Sequence, residues 1–303
     1  VRNVQRYIIF TTFRLLGAIP LRLRQSLGRG AGRLVAIFSG RERHLSLLQL
    51  QLALGNSDKS IPTEMYSQIG QTFLESLNLS PILSDSGSIT VIAGEEIIKR
   101  TAQNQSPLVA LTGHVGNWDL LAAYIVARGI NLCTVARRAR NSLLHELLED
   151  LRLRYGVKSL WRSRQAGQAI ISELKQGKVV AALIDQDTRV RSISVPFFNY
   201  PASTPVGLVT IAKKLDVPIV SAFLVRVDKV RFEVYIKEID SSKTEEDILK
   251  EYHSHLEDIL RRFPAQWVWF HKRWRTLADN TRLSSEQYLQ YLTKELKANN
   301  GTS

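Results

Sequence analysis

His114 and Asp119 close the segment Leu108-Val-Ala-Leu-Thr-Gly-His114-Val-Gly-Asn-Trp-Asp119, in which an apolar run passes through a glycine-bounded turn into a helical pattern. A histidine so placed stands at the carboxyl end of a strand, where open α/β sheets bind their ligands. Asn117 is a helix-capping residue type, so the following helix starts there and turns its N-terminal dipole toward the same crevice. Five residues is poor spacing for one regular helix face, but a turn residue can fold back on a first-turn carboxylate. The imidazole then has Asp119 as its orienting anion. The chemistry this suits is general-base removal of a hydroxyl proton while that oxygen attacks an acyl carbonyl. Taken alone, the pair is weak evidence, because a capping Asp and a structural His are the commoner reading of such residues. The sequence offers no Gly-x-Ser-x-Gly elbow for a serine acyl-enzyme, and no Ser or Cys lies between Gly113 and Asp119. Direct transfer without a covalent intermediate is therefore expected, since a thioester's thiolate leaves without a strong acid.

The elements that must position this turn follow from periodicity. Short apolar, β-branched runs at 89–93, 108–112, 132–136, 179–184, 219–225 and 231–236 alternate with helical patterns at 118–128, 142–155, 165–176 and 205–215. Such alternation indicates an α/β fold. Ahead of it, residues 1–54 read as helical, with Pro20 opening a second helix, and 61–84 read as one more helix. The expected organisation is a membrane-associating helical region over 1–54, an α/β domain over 55–296 and a flexible tail over 297–303.

The 303 residues carry 41 Lys and Arg against 28 Asp and Glu, a formal charge of +13. Nine Arg and one acid, Glu42, lie in the first 50 residues, which therefore hold eight of those net charges. Arg2, Arg6 and Arg14 share about one third of a helix circumference, with Ile8, Phe13, Leu15 and Leu16 elsewhere on it. A basic amphipathic helix of this kind lies in a headgroup layer or packs on the domain with its Arg in water. The apolar stretches are broken by Arg too early for a spanning helix, and no signal-peptide pattern is present. Cys133 is alone, excluding an intramolecular disulfide and a cysteine metal cage and suiting a reducing setting. It falls within a strand and is expected to be buried, whereas His253 and His255 in a Glu-rich helix are expected to face solvent. Gly28, Gly30 and Gly32 resemble a piece of a dinucleotide turn, but no strand precedes them and no nucleotide site is assigned.

Four ordered motifs give the chain a wider resemblance. His114-Val-Gly-Asn-Trp-Asp119, Gly177-Lys-Val-Val-Ala-Ala-Leu-Ile-Asp185-Gln186-Asp187, Val195-Pro-Phe-Phe-Asn-Tyr-Pro-Ala-Ser-Thr204 and Pro264-Ala-Gln-Trp267-Val-Trp269-Phe-His271-Lys-Arg273-Trp274 resemble the lysophospholipid acyltransferase superfamily, and within it the late acyltransferases of lipid A biosynthesis. The resemblance implies a mixed sheet flanked by helices, as in glycerol-3-phosphate acyltransferase-like folds, behind the basic N-terminal helices. It implies transfer of an acyl group from acyl carrier protein, or coenzyme A, to a hydroxyl of a phosphorylated glycolipid, with no cofactor and no metal. The protein is then expected at the cytoplasmic face of the bacterial inner membrane, peripheral or monotopic, on an anionic surface. Among site residues the resemblance implies His114 and Asp119 for catalysis, and Asn117, Arg137, Arg164, Asp185 and Asp187 for substrate, the two Asp fitting a structural ion pair equally well. Two departures stand out: Asp119 where many members carry Glu, and Asn199 where Gly is usual after the two Phe.

Two other readings remain at this point. An acyltransferase of another glycolipid or aminolipid shares the same motifs. A nucleic-acid binder accounts for the charge and for Trp267, Trp269 and Trp274 beside Lys272, Arg273 and Arg275, because aromatic and basic residues stack on bases; it leaves the His114 segment unexplained, and nucleic acid is not the expected partner.

Overall fold

The computed structural model describes residues 2–139 and 141–300. The N-terminal part, before residue 84, is helical: α1 (Arg2–Ala18), α2 (Leu21–Phe38), α3 (Gly40–Leu54), α4 (Ser60–Ser76) and α5 (Ser80–Leu83). Pro20 stands at the N-cap of α2, where its fixed φ and missing N–H cost nothing. Gly28 and Gly32 exist for close packing: a Cβ at either would fall within 2.9 Å of the α4 backbone at Tyr66, Ser67, Gly70 and Gln71. Gly28 and Gly32 thus mark a helix crossing, while Gly30 faces away from α4. The single helix expected over 61–84 is two, since the chain leaves α4 at Leu77 and restarts at Ser80-Pro81.

The α/β part comprises β1 (Ile89–Ala93), α6 (Glu95–Asn104), β2 (Leu108–Thr112), α7 (Trp118–Ala127), β3 (Leu132–Ala136), α8 (Ser142–Arg154), β4 (Lys158–Trp161), α9 (Ala166–Lys175) and β5 (Val179–Leu183). It continues with β6 (Ser192–Phe197), β7 (Tyr200–Pro205), α10 (Gly207–Lys214), β8 (Ile219–Arg226), β9 (Phe232–Ile239), α11 (Glu245–Arg262) and α12 (Ser285–Asn300). Seven strands form one mixed sheet in the order β1-β9-β8-β2-β5-β3-β4, and β6 and β7 form a separate hairpin. Strands β8, β2, β5, β3 and β4 run parallel, while β9 is antiparallel to β8. The carboxyl ends of five strands therefore share one edge.

Central strands buried on both sides need unbroken apolar sequence, and β2, Leu-Val-Ala-Leu-Thr, is buried at every position. Its two faces enter different cores. Val109 and Leu111 join Val180, Ala182, Phe223, Tyr252 and Trp267; Leu108 and Ala110 join Val179, Ala181, Val220, Ala222 and the α7 residues Leu120 and Leu121. Helix α3 belongs to this body, because buried Gln49 bonds the carbonyls of Trp269 and His271 and receives the Arg273 amide. Residues 297–300, expected in a loose tail, continue α12, and 301–303 lie outside the described residues. The sequence pattern missed β4, which is only four residues long, and the β6–β7 hairpin, whose Pro196, Pro201 and Pro205 hide its strand character.

Candidate active site

The turn after β2 is built from both ends of the chain. Gly116 has φ +55°, and a Cβ there would meet the Leu224 carbonyl oxygen at 2.1 Å, so glycine is required. The Gly116 amide donates to the Gln266 carbonyl at 2.9 Å, and Val115 forms an isolated bridge with Trp267. Asn117 caps α7, its Oδ1 accepting the Leu120 amide at 2.9 Å while its Nδ2 donates to Glu75 at 3.1 Å. It is fully buried. The structure thus places Asn117, expected at the substrate, in a buried position that holds the turn.

His114 is partly exposed to a cleft, with its ring edge-to-face against Trp118 at 5.1 Å. Its Nδ1 lies 2.8 Å from Asp185 Oδ1, and its backbone N–H donates to Asp185 Oδ2 at 2.8 Å. The Trp267 indole N–H donates to that same Oδ2 at 2.7 Å. Burial pushes the Asp185 carboxyl up, but the His114 charge, its ring and backbone N–H groups and the indole N–H together hold it down at about 2. A carboxylate only accepts, so the contact places a proton on Nδ1, and whenever the ring is neutral its lone pair is on Nε2. Asp119 was expected as the orienting anion; instead it accepts from Arg152 Nε at 3.0 Å. Asp185, just past the end of the neighbouring strand β5, already occupies both the turn amide and the ring.

Asp187, two residues on, is turned inward, accepting the Thr276 amide at 2.7 Å and Arg282 Nη1 at 2.5 Å. It pins the C-terminal segment and is almost fully buried, the arrangement of the structural ion pair that was one of its two readings. Asp185 likewise contacts His114 rather than standing open to substrate. Arg137 lines the cleft together with His114, Trp161, Arg162, Ser163 and Arg191, around a volume of about 600 Å³. Arg164 is exposed on the same loop but is not part of this lining. Arg162, missed in the sequence, takes its place; partial desolvation, and then the Arg137 charge, hold its pKa below the ordinary value. Two guanidinium groups brought together suit a phosphate.

Behind Trp118 and the Asp119–Arg152 pair lies a second, narrower space of about 80 Å³, which shares Trp118, Val135, Ala136, Arg152 and Leu183 with the cleft. Its sheet wall is one face of four strands, with alternate residues Leu108, Ala110 and Thr112, then Val179, Ala181 and Leu183, Val220 and Ala222, and Leu132, Thr134 and Ala136. Helices α6 and α7 cover it with Ile97, Leu121 and Ile125. Small residues at mid-strand keep it open. A signal for it was present in the sequence as one mid-strand alanine in each of β2, β5 and β8, at Ala110, Ala181 and Ala222, but alanine alone does not distinguish a slot from close helix packing.

The remaining motifs buttress this site. The β6–β7 turn places Phe198 and Asn199 at φ 48° and 66°, a two-residue turn in which Asn is as acceptable as Gly, accounting for that departure. Phe197 packs against Trp267 and Trp274, and Arg273 donates to the Ser203 carbonyl and Thr204 Oγ1. Trp267, Trp269, Trp274 and Arg273 are all fully buried, so none offers a surface for bases or headgroups. His253, expected in solvent, is buried too: its Nδ1 donates to the Pro196 carbonyl and its Nε2 accepts from Arg273. Burial first, then the Arg273 charge, lower its pKa to about 3. His255 is bonded to Ser221 at 2.7 Å. Cys133 is buried, as its strand position predicts.

The family model described as bacterial lipid A biosynthesis acyltransferase matches residues 1–276 of the chain. The chain is also similar to phosphatidylinositol mannoside acyltransferase of Mycobacterium tuberculosis, strains CDC 1551 / Oshkosh and ATCC 25618 / H37Rv, each at 30% identity over 97 residues. That match spans 31% of the chain and 31% of either relative's own length.

Proposed function

The chain belongs to the bacterial lipid A biosynthesis acyltransferase family, and from that premise we propose that it moves a fatty acyl group from an acyl carrier protein thioester to a hydroxyl of a phosphorylated lipid A precursor. The observation that carries the chemistry is the His114 ring held through Nδ1 by Asp185, beside a basic cleft and an apolar slot. His114 Nε2 takes the acceptor hydroxyl proton as that oxygen attacks the thioester carbonyl; the carbon–sulfur bond breaks, and the thiolate leaves and recovers the proton. Asp185 fixes the tautomer and stabilises the transient imidazolium. Arg137 and Arg162 hold an acceptor phosphate or the donor's phosphopantetheine phosphate. The acyl chain threads past Trp118 into the slot, and the Asp119–Arg152 pair marks its polar end.

Coenzyme A is the alternative donor. The mycobacterial relatives' name supports a second acceptor reading, another phosphorylated glycolipid. The exposed Leu23, Leu27, Leu34 and Ile37 on α2, with the basic N-terminal surface, support attachment to an anionic membrane at the cytoplasmic face of the inner membrane. Among the described residues no helix is long and apolar enough to cross a membrane. The test is transfer of labelled acyl groups from carrier protein or coenzyme A to lipid A precursor or phosphatidylinositol mannoside, read by mass. A product heavier by one acyl group, absent with His114→Ala, supports the reading; label stable on the enzyme before acceptor is added contradicts direct transfer.

A further inference from the structure

A second basic groove, of about 990 Å³, lies among α2, α4 and the turn joining β8 to β9. Arg22, Arg29, Arg33, Arg226 and Lys229 line it, with Asp228 as the one acid in the lining. Asp228 is held by Arg231 and by the amides of Val230 and Arg231, Arg29 pairs with Glu64 and Arg226 with Glu75, so the groove's net positive charge rests on Arg22, Arg33 and Lys229. None of the residues that line the catalytic cleft lines this groove.

Arg226 marks it as a built site. It is more than nine-tenths buried; Nη2 pairs with buried Glu75 and Nε donates to Gln68 at 3.2 Å, while Nη1 is buried without a hydrogen-bond partner. A guanidinium N–H removed from water and left unpaired is costly unless an anion meets it. Glu75 also receives Gln25, Gln71 and the catalytic-turn residue Asn117. One carboxylate therefore ties the groove floor to the turn that carries His114.

The geometry of α2 identifies the source of the anion. At about 100° per residue, Arg22, Arg29 and Arg33 fall within about 40° of one another, adjoining the arc that holds Leu23, Leu27, Leu34 and Ile37. Those four apolar residues are exposed, and the face opposite them, Gly28, Gly32 and Ala36, is buried. A free phosphate would need the cations only; an apolar stripe alongside them matches a phosphate whose acyl tails continue into a bilayer. We propose that this groove seats the headgroup phosphate of an anionic phospholipid of the host membrane, separately from the acceptor's phosphate in the catalytic cleft.

Vesicle binding without donor or acceptor tests this independently of the acyl-transfer reading. Co-sedimentation would compare phosphatidylcholine vesicles with and without added phosphatidylglycerol. The triple variant Arg22→Gln, Arg33→Gln, Lys229→Gln should lose more than about tenfold in affinity for the phosphatidylglycerol vesicles, given up to about 1 kcal/mol per basic residue. A charge-matched control, Lys175→Gln, Lys294→Gln, Lys297→Gln, should lose less than about threefold. Gly30→Gln fills the groove without changing charge, in a position where a Cβ meets nothing within 4 Å, and should abolish the preference for phosphatidylglycerol with the melting temperature unchanged. Equal losses in the triple variant and its control, or unchanged preference in Gly30→Gln, overturn the proposal in favour of diffuse attraction. Inorganic phosphate binding as tightly as the vesicles overturns the lipid assignment, and variants that lose acyl carrier protein but keep vesicles overturn it in favour of a protein partner.

Discussion

The two faces of strands β2, β5 and β8 contain similar kinds of residue yet are filled differently. On one, Val109, Leu111, Val180, Phe223 and Tyr252 pack with Trp267 and Trp269 under α11 and the C-terminal segment. On the other, Ala110, Ala181 and Ala222 face α6 and α7 and leave a slot. The closed face supplies rigidity: its polar members, among them His253, Arg273 and Tyr252, which donates to the Thr112 carbonyl at 2.8 Å, secure the base of the turn that carries His114. The open face supplies room. His114 stands where they meet, so its support and the space beside it are separable by mutation.

His114→Ala removes the meeting point itself, and turnover should drop by at least about a hundredfold with the fold retained. Near-normal turnover by a folded variant, measured as acyl product per enzyme, ends the general-base account. On the open face, Ala181→Leu adds bulk at mid-strand and should shift donor preference toward shorter chains. With about 0.8 kcal/mol per buried methylene, a slot shortened by two carbons discriminates by about tenfold in competition between donors, with kcat for the shorter one kept. An unchanged preference places the acyl chain elsewhere.

The closed face should reveal itself in acid. Burial and Arg273 hold His253 at about 3, and burial holds His271 at about 4, against about 6.5 in the unfolded chain. Both are neutral in the fold, so the unfolded state takes up protons first. Their stabilising contribution is full above about pH 6.5 and is lost as pH falls toward 4, at up to about 1.4 kcal/mol per pH unit for each. Urea midpoints at stepped pH read this directly. His253→Gln should be less stable at neutral pH but show a shallower decline; an identical slope contradicts the buried neutral histidine.

Much of this was legible in the sequence because it is local. The six apolar runs became six strands within a few residues, Pro20 opened α2, and Asn117 capped α7, all through preferences of neighbouring backbone. What depended on distant chain was not. Asp185 lies 71 residues from His114, and nothing in the spacing of residues 114–119 shows that a carboxylate from another strand end will displace Asp119 from the ring. The interior positions of His253 and the Trp-rich segment were hidden for the same reason, since polar sequence around them gives no sign of the hairpin that covers them. Arg162 escaped notice because the short strand before it, β4, did.

Asp185, rather than Asp119, holds the His114 imidazole. Measuring kcat for Asp185→Asn and Asp119→Asn side by side, on one saturating donor and acceptor and with folding checked, tests it most directly. Loss of the tautomer-fixing anion should cost Asp185→Asn on the order of a hundredfold or more, whereas Asp119→Asn, which frees Arg152 at the slot's polar end, should act mainly on KM for the acyl donor. A large kcat loss in Asp119→Asn with Asp185→Asn near normal would contradict the account.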